Sequence, residues 1–515
     1  MARTALFGRI TRALTAARLA LPDAPPLGER AISRRAALAM FLAAAACTPA
    51  RKSGAAADPN TVGIIGGGTA GLVVAWRLAN AGVPSEIYES SGRTGGRMYT
   101  KRDFTPEGQF CELGGELVDS NHKELIALCG ELGLPIQRLR PEGVAFSDIY
   151  DIKGKHYIAS DLVDSKGQTG AFIPVAARIA ADQAALLDAD DNWTPRALEL
   201  DALPLSKYID SLATSAEPWV LDLLRVAYHG EYGIPLDKQS SLNLVDFISA
   251  DTAKSFEMFG DSDESHRIQG GNSTLPETLT QRLSADPLSQ RFKVSLRHEL
   301  TEIARDGEDF RLVFKQENGA LIEKVFGRLV LALPFTRLRE IKGLGGLGLS
   351  AEKMQVINEL GYGSNAKLMV GTKSRPWTQS LLGINSPLTG TIYSDRGFQI
   401  VWDTSAGQEG TGGILTNFMT GALAVGEETG ALANLEAGLK SLSPELGASL
   451  NPAVRASFFW PAYPHMKASY SGPLAGQYCT FYENAAKPEL DGKLIFAGEH
   501  TSMESAGFMN GAVES

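Results

Sequence analysis

The feature that most restricts the fold of this chain is a short strand that runs straight into a glycine-rich turn and then a helix. Thr61-Val62-Gly63-Ile64-Ile65 is short, β-branched and flanked by glycine, which is the pattern of a buried strand. Gly66-Gly67-Gly68-Thr69-Ala70-Gly71 follows at once, and Leu72 to Asn80 continues as a helix that ends at Gly82. A second strand, Ser85-Glu86-Ile87-Tyr88, delivers Glu89. In this order the residues form a dinucleotide fingerprint. Gly66 permits the tight turn, Gly68 lets the backbone approach a pyrophosphate, and Gly71 lets helix and strand pack closely. The helix N-terminus, with Thr69 and Ala70 in its first turn, offers partial positive charge to the phosphates. Glu89 stands where a carboxylate accepts ribose hydroxyls. The pattern predicts an α/β fold on a parallel sheet.

A chain of 515 residues is too long for one core and suits two or three folded units. With 44% hydrophobic residues it fits neither a disordered chain nor a multi-span membrane protein. A formal charge of −10 argues against a general nucleic-acid binder, which needs clustered Lys and Arg. The seven histidines form no close pair of metal-ligand spacing, so no metal site is expected. Cys47, Cys111, Cys129 and Cys479 are widely spaced and imply no disulfide framework.

The N-terminus reads as an address. Ser33-Arg34-Arg35-Ala36-Ala37-Leu38 opens an apolar run that ends at Ala46, too short to span a bilayer. Paired arginines before such a run suggest export of a periplasmic or secreted protein by the twin-arginine route. A disordered Ala-rich tail is the alternative. Cys47 follows small residues and leaves lipidation open, although Ala44 stands where a lipoprotein signal usually has leucine. Residues 55–60 form a linker before the first strand.

The segment after Glu89 and Ser90 narrows the choice of dinucleotide. Gly92-Arg93-Thr94-Gly95-Gly96-Arg97-Met98-Tyr99-Thr100 resembles the flavin amine oxidase family, which includes monoamine oxidases, polyamine oxidases and L-amino-acid oxidases and uses FAD. The likeness runs from about Val62 to the end and is patchy in the middle. Glu112-Leu113-Gly114-Gly115-Glu116 looks like the family's second glycine pair, beside the flavin ring. Ile268-Gln269-Gly270-Gly271-Asn272 resembles the re-entry into the cofactor domain, Val294–Ile303 resembles the strand pair whose Leu300 backbone meets the adenine, and Leu329–Pro334 resembles the exit. Lys367, within Gly361–Val370, matches a lysine that holds water at flavin N5. The alternating apolar residues after it suggest a strand that aims it to one face. Leu494 to Thr501 is a strand ending in Gly498-Glu499, and Ser505–Ala512, with Phe508 and Met509, opens a helix. By the resemblance Glu499 faces the ribityl-diphosphate and the helix faces the flavin. Tyr470 and Phe508 match the two walls of an aromatic cage, with Trp460 nearby.

The resemblance implies a Rossmann-type FAD-binding domain from 59–135, 262–335 and 455–515, after a signal and linker at 1–58. Segments 136–261 and 336–454 would form an interleaved mixed α+β substrate domain. It also implies hydride transfer from the carbon beside a small-molecule amine to flavin N5, hydrolysis of the imine, and reoxidation by molecular oxygen to hydrogen peroxide. An L-amino-acid oxidase, a dehydrogenase feeding a periplasmic carrier and a noncatalytic FAD protein remain as alternatives, and a homodimer stays open. Leu117 replaces the arginine that some amino-acid oxidases use for the carboxylate, and Arg267 is a substitute to consider. Glu116 and Asp119 are candidates for the distal ammonium of a diamine or polyamine, the alternative being a solvated acidic edge. The chain is expected to continue past Ser515, because the helix there would otherwise be very short. Ser469 occupies the position of the cysteine that bonds flavin covalently in monoamine oxidases, so the FAD is expected to be noncovalent. Acid precipitation should release yellow flavin into the supernatant; flavin that stays in the pellet contradicts this reading.

Overall fold

The computed structural model describes residues 60–515 apart from 254, 255, 286, 380 and 385. The export segment, Arg34, Arg35 and Cys47 therefore lie outside the described residues.

The first strand, Val62–Ile65, is buried along its length. It lies in the middle of a five-stranded parallel sheet ordered Leu494–Phe496, Leu329–Leu331, Val62–Ile65, Ser85–Tyr88 and Phe292–Ser295. Strands buried on both faces need apolar side chains throughout, which is why these segments read as short continuous apolar runs. The helix Thr69–Asn80 packs on one face. Its Leu72, Ala75 and Leu78 share a core with Leu125, Leu128, Leu275 and Leu279 from the helices Lys123–Leu132 and Thr274–Leu283. The other face carries a three-stranded antiparallel sheet, His298–Asp306, Asp309–Gln316 and Leu321–Phe326. Phe314 of that sheet stacks on Tyr88 with ring centroids 4.2 Å apart. The stretch Val294–Ile303 is thus divided: Phe292–Ser295 ends the parallel sheet, and a turn at Arg297, with φ 59, starts the antiparallel one.

A second, seven-stranded mixed sheet is ordered Leu450–Phe459, Asn365–Thr372, Gly413–Thr420, Ile400–Asp403, Leu388–Ser394, Ser147–Ile152 and Lys155–Tyr157. Asn365–Thr372 is antiparallel to both its neighbours and all eight residues are buried. Alternation still sorts its side chains. Ala366, Leu368 and Val370 join the core with Leu435 and Leu439 of the helix Glu428–Leu442. Met369 packs the opposite way, against Cys111 and Leu113 of the cofactor unit. Lys367 shares the parity of Met369 and so faces the second glycine pair. The strand Leu450–Phe459 runs across the expected 454/455 boundary, because it pairs with Asn365–Thr372 as far as Phe459. The chain leaves this sheet at Trp460.

Candidate active site

A cavity of 340 Å³ lies between the two sheets. Its cofactor half is floored by backbone. Gly66 has φ +108, and a Cβ there would sit 2.4 Å from the Ala332 carbonyl oxygen. At Gly115 a Cβ would meet the Met509 side chain, with Cγ at 2.8 Å. Gly71 does not line the cavity; a Cβ on it would lie 2.1 Å from the Gly66 carbonyl oxygen, so it serves the helix–strand packing. Gly68, Thr69 and Ala70 line the cavity, and the first turn of their helix carries no side-chain cap. That leaves backbone N–H groups for a ligand's phosphates.

Glu89 is fixed before any ligand arrives. Gly67 N–H donates to Oε2 at 2.7 Å and Ser91 N–H to Oε1 at 2.7 Å. A carboxylate has about four acceptor sites, so capacity remains for ribose hydroxyls. Arg93 lies over the Tyr99 ring, 3.7 Å from its centroid, and donates to Gly96 O at 2.6 Å. Arg97 Nη1 donates to Glu499 Oε1 at 2.6 Å and to Ser469 O at 3.1 Å. Burial alone pushes the Glu499 carboxyl up, but Arg97 and hydrogen bonds such as that from Ser471 hold it down at about 2. His500 next to it is buried, and burial pushes it down to about 3, so its imidazole is neutral. The residue lines the cavity, and both of its buried ring nitrogens are without a hydrogen-bond partner. Ser90, Gly96, Gly114, Glu116, Leu300, Gly498 and Met509 complete the lining on this side. The glycine floor, the anchored Glu89, the open helix turn and the orphaned His500 nitrogens fit FAD.

Lys367, Trp460, Tyr470 and Phe508 meet in the same cavity. Trp460 Nε1 donates to Leu113 O at 2.9 Å, and its ring would be 3.2 Å from a Cβ on Gly114. Tyr470 donates its hydroxyl to the Glu231 carbonyl oxygen, which orients its ring. The Phe508 ring lies 5.2 Å from that of His122. Ser469 is buried and donates to Asn365 Oδ1 at 2.6 Å. The Lys367 ammonium is spent: Nζ donates to Gly114 O at 2.8 Å, to Glu112 O at 3.2 Å and to Glu116 Oε2 at 2.8 Å.

Three sequence expectations change here. Arg267 does not line the cavity; it is buried, with its guanidinium on the carbonyls of Thr404, at 2.9 Å, and Ala406. Arg140 does line the cavity, and its Nη2 donates to Thr389 O at 2.9 Å. Glu116 is engaged by Lys367. Asp119 accepts from Ser262 Oγ at 2.8 Å and Glu264 N–H at 2.8 Å and lies 3.3 Å from His122 Nε2. Both acids therefore already carry partners of their own, a cation in the case of Glu116.

The cap contributes Glu231, Tyr393, Ile400, Trp402 and Phe418 and the cofactor domain contributes Glu264, none of which lies in a motif. Glu231 had a signal all the same. It occupies the stripe of Val220, Leu224, Ala227 and Glu231 on the helix Pro218–Tyr232, where the other members are core. A carboxylate at a core register position needs a reason. Glu264 has φ 45, and burial followed by the charge of Asp119 pushes its carboxyl up to about 8.

A family model described as flavin containing amine oxidoreductase matches residues 69–515. A flavin-dependent L-tryptophan oxidase from Lentzea aerocolonigenes is 25% identical over 500 residues, covering 88% of this chain and 95% of that protein. A putrescine oxidase from Kocuria rosea is 29% identical over 240 residues, 43% of this chain and 46% of that one. Among solved structures, cyclohexylamine oxidase from Brevibacterium oxydans superposes with a TM-score of 0.69 at 19% identity, covering 89% of this chain and 97% of that one. Putrescine oxidase bound to putrescine superposes with a TM-score of 0.69 at 20% identity, covering 88% and 96%.

The Arg97–Glu499 pair yields a stability prediction. A depressed carboxyl contributes stability that is present above its unfolded value of 4.5 and is lost as pH falls through about 2. Glu499→Gln should cost roughly 3–5 kcal/mol at pH 7, as expected for breaking a buried pair. The gap from wild type should narrow as pH falls below 4.5. Denaturant unfolding at pH 7 and pH 3.5 measures both values, and a gap that widens in acid contradicts the assignment.

Proposed function

The chain belongs to the flavin containing amine oxidoreductases, and from that premise we propose that its donor is a primary amine carrying a second positive charge. As a member of that family it is an FAD-dependent amine oxidase. Bound FAD supplies the hydride acceptor for the carbon beside the nitrogen and hands the electrons to oxygen. Gly68, Thr69, Ala70, Arg97 and Glu89 hold the cofactor's diphosphate and ribose. The protein's own work is to orient the amine and exclude water, which places the reacting atoms together at little entropic cost during reaction.

Tyr470 and Phe508 supply the aromatic faces between which the reacting nitrogen is oriented. Trp402, Ile400 and Phe418 keep the cap wall dry, which strengthens each charge that remains. The observation that carries the cationic-donor reading is Glu231, a buried carboxylate on that wall at a helix position otherwise reserved for core residues. Glu264 reinforces it, because a carboxyl held near 8 becomes charged most readily when a cation sits beside it. The putrescine oxidase relative acts on a donor of this type, as its name states.

An L-amino-acid oxidase is the second reading. It is favoured by Arg140, whose guanidinium lines the cavity, and by likeness to the L-tryptophan oxidase over most of both chains. Anaerobic stopped-flow reduction by diamines, monoamines and amino acids separates the two. On the first reading Glu231→Gln raises the apparent Kd for a diamine by roughly 30-fold, about 2 kcal/mol, and leaves a monoamine unchanged. On the second, amino acids reduce the flavin fastest and Arg140→Gln abolishes that while sparing amines. Export before function belongs to the same proposal and is supported by Arg34 and Arg35 ahead of the apolar run. Replacing both with Lys should retain active protein in the cytoplasm, and undiminished export contradicts that route.

A further inference from the structure

Lys367 and Glu116 form an ion pair that no sequence pattern announces. The two residues are separated by 251 positions, and their side chains are 5% and 3% exposed. An alkylammonium has three N–H donors. All three are directed at one segment, to the carbonyls of Glu112 and Gly114 and to the carboxylate of Glu116. The Glu112 carboxyl accepts instead from Asn272 N–H at 2.8 Å and Thr100 Oγ1 at 2.8 Å, and reaches Lys367 and Glu116 only through space. Lys367 Nζ also lies 5.2 Å from the centroid of the Trp402 ring. Both members of the pair line the cavity.

Such an arrangement fixes both where the ammonium sits and how much of its charge reaches the cavity. An unbalanced ammonium in a dry wall repels a cationic donor and attracts electron density on any group beside it. The adjacent carboxylate cancels the first effect and tempers the second. We propose that Glu116 is a positioning residue that acts through Lys367, holding its ammonium on the Glu112–Glu116 segment and setting the charge it presents to the bound cofactor and to the incoming amine.

The reading makes the two residues non-additive. In Lys367→Met, Glu116 no longer has an ammonium to act through. Replacing Glu116 with Gln as well then changes little. Glu116→Gln on its own keeps an acceptor for Lys367 but removes the balancing charge.

The test is the midpoint potential of the bound FAD, read with a reference dye in the holoenzyme, together with steady-state kinetics on putrescine. For Glu116→Gln we expect reduction to become about tenfold more favourable, which for a two-electron couple is about 30 mV. KM for putrescine should rise about tenfold while kcat changes less than threefold. Lys367→Met should lower the potential, and the double variant should match Lys367→Met within error. If Glu116→Gln fails to retain FAD, Glu116→Asp, with the charge on a shorter arm, should shift the potential in the same direction by a smaller amount. An unchanged potential in the variant that holds FAD overturns the proposal, as does a Glu116→Gln shift of equal size with and without Lys367. A purely structural Glu116 would lower the melting temperature and leave the potential alone. The potential does not depend on the donor, so this result is independent of the cationic-donor reading, which only the KM arm shares.

Discussion

The ion pair between Arg97 and Glu499, 2.6 Å across, holds the cofactor half of the molecule together. Arg97 comes from the loop after the second strand, and Glu499 from the end of the last strand of the parallel sheet. Glu499 also accepts from Ser471 Oγ at 2.7 Å and from Gly507 N–H at 2.7 Å, on either side of the aromatic wall residues Tyr470 and Phe508. One carboxylate thus joins the glycine loop, the segment carrying Tyr470 and the turn carrying Phe508. A charge buried this deeply is tolerated because every partner is a donor or a cation. Its neighbour His500 stays neutral in the same environment.

Much of this half was legible in the sequence because its geometry leaves few residue choices. A positive φ against the Ala332 carbonyl demands glycine at 66, and at 115 glycine leaves room for the Met509 side chain. Glu89 follows a strand of fixed length and so arrives at a fixed place. Lys367 was found by its match to the family's lysine, and alternation along its strand does aim it at one face. The sequence did not reveal that this face is sealed by Cys111–Glu116, or that the ammonium would be fully engaged there. Pairing across 251 positions is a tertiary fact with no local signature.

The cap was less legible for a physical reason. Its strands and helices are specified by apolar packing, which many residues satisfy, so its ligand-facing positions leave no spacing to find. Arg267 illustrates the difficulty. As a residue name it suited a carboxylate clamp, yet it spends its guanidinium on the carbonyls of Thr404 and Ala406. Arg140 lies on the wall in its place, brought there by the loop that follows the pairing of Ile136–Arg138 with His266–Ile268. The engaged state of Glu116 and Asp119 likewise comes from partners supplied by distant segments, Lys367 in one case and Ser262 and Glu264 in the other.

The central claim is that one cavity, between a sheet specified by glycine geometry and a sheet specified by packing, brings FAD and a doubly charged amine together. A crystal structure of the holoenzyme with a slowly oxidised diamine tests it most directly. The account predicts the reacting amine between Tyr470 and Phe508, with its distal ammonium against Glu231 and the Lys367–Glu116 pair intact. A diamine bound with its distal end at Arg140, or outside the cavity altogether, would contradict it.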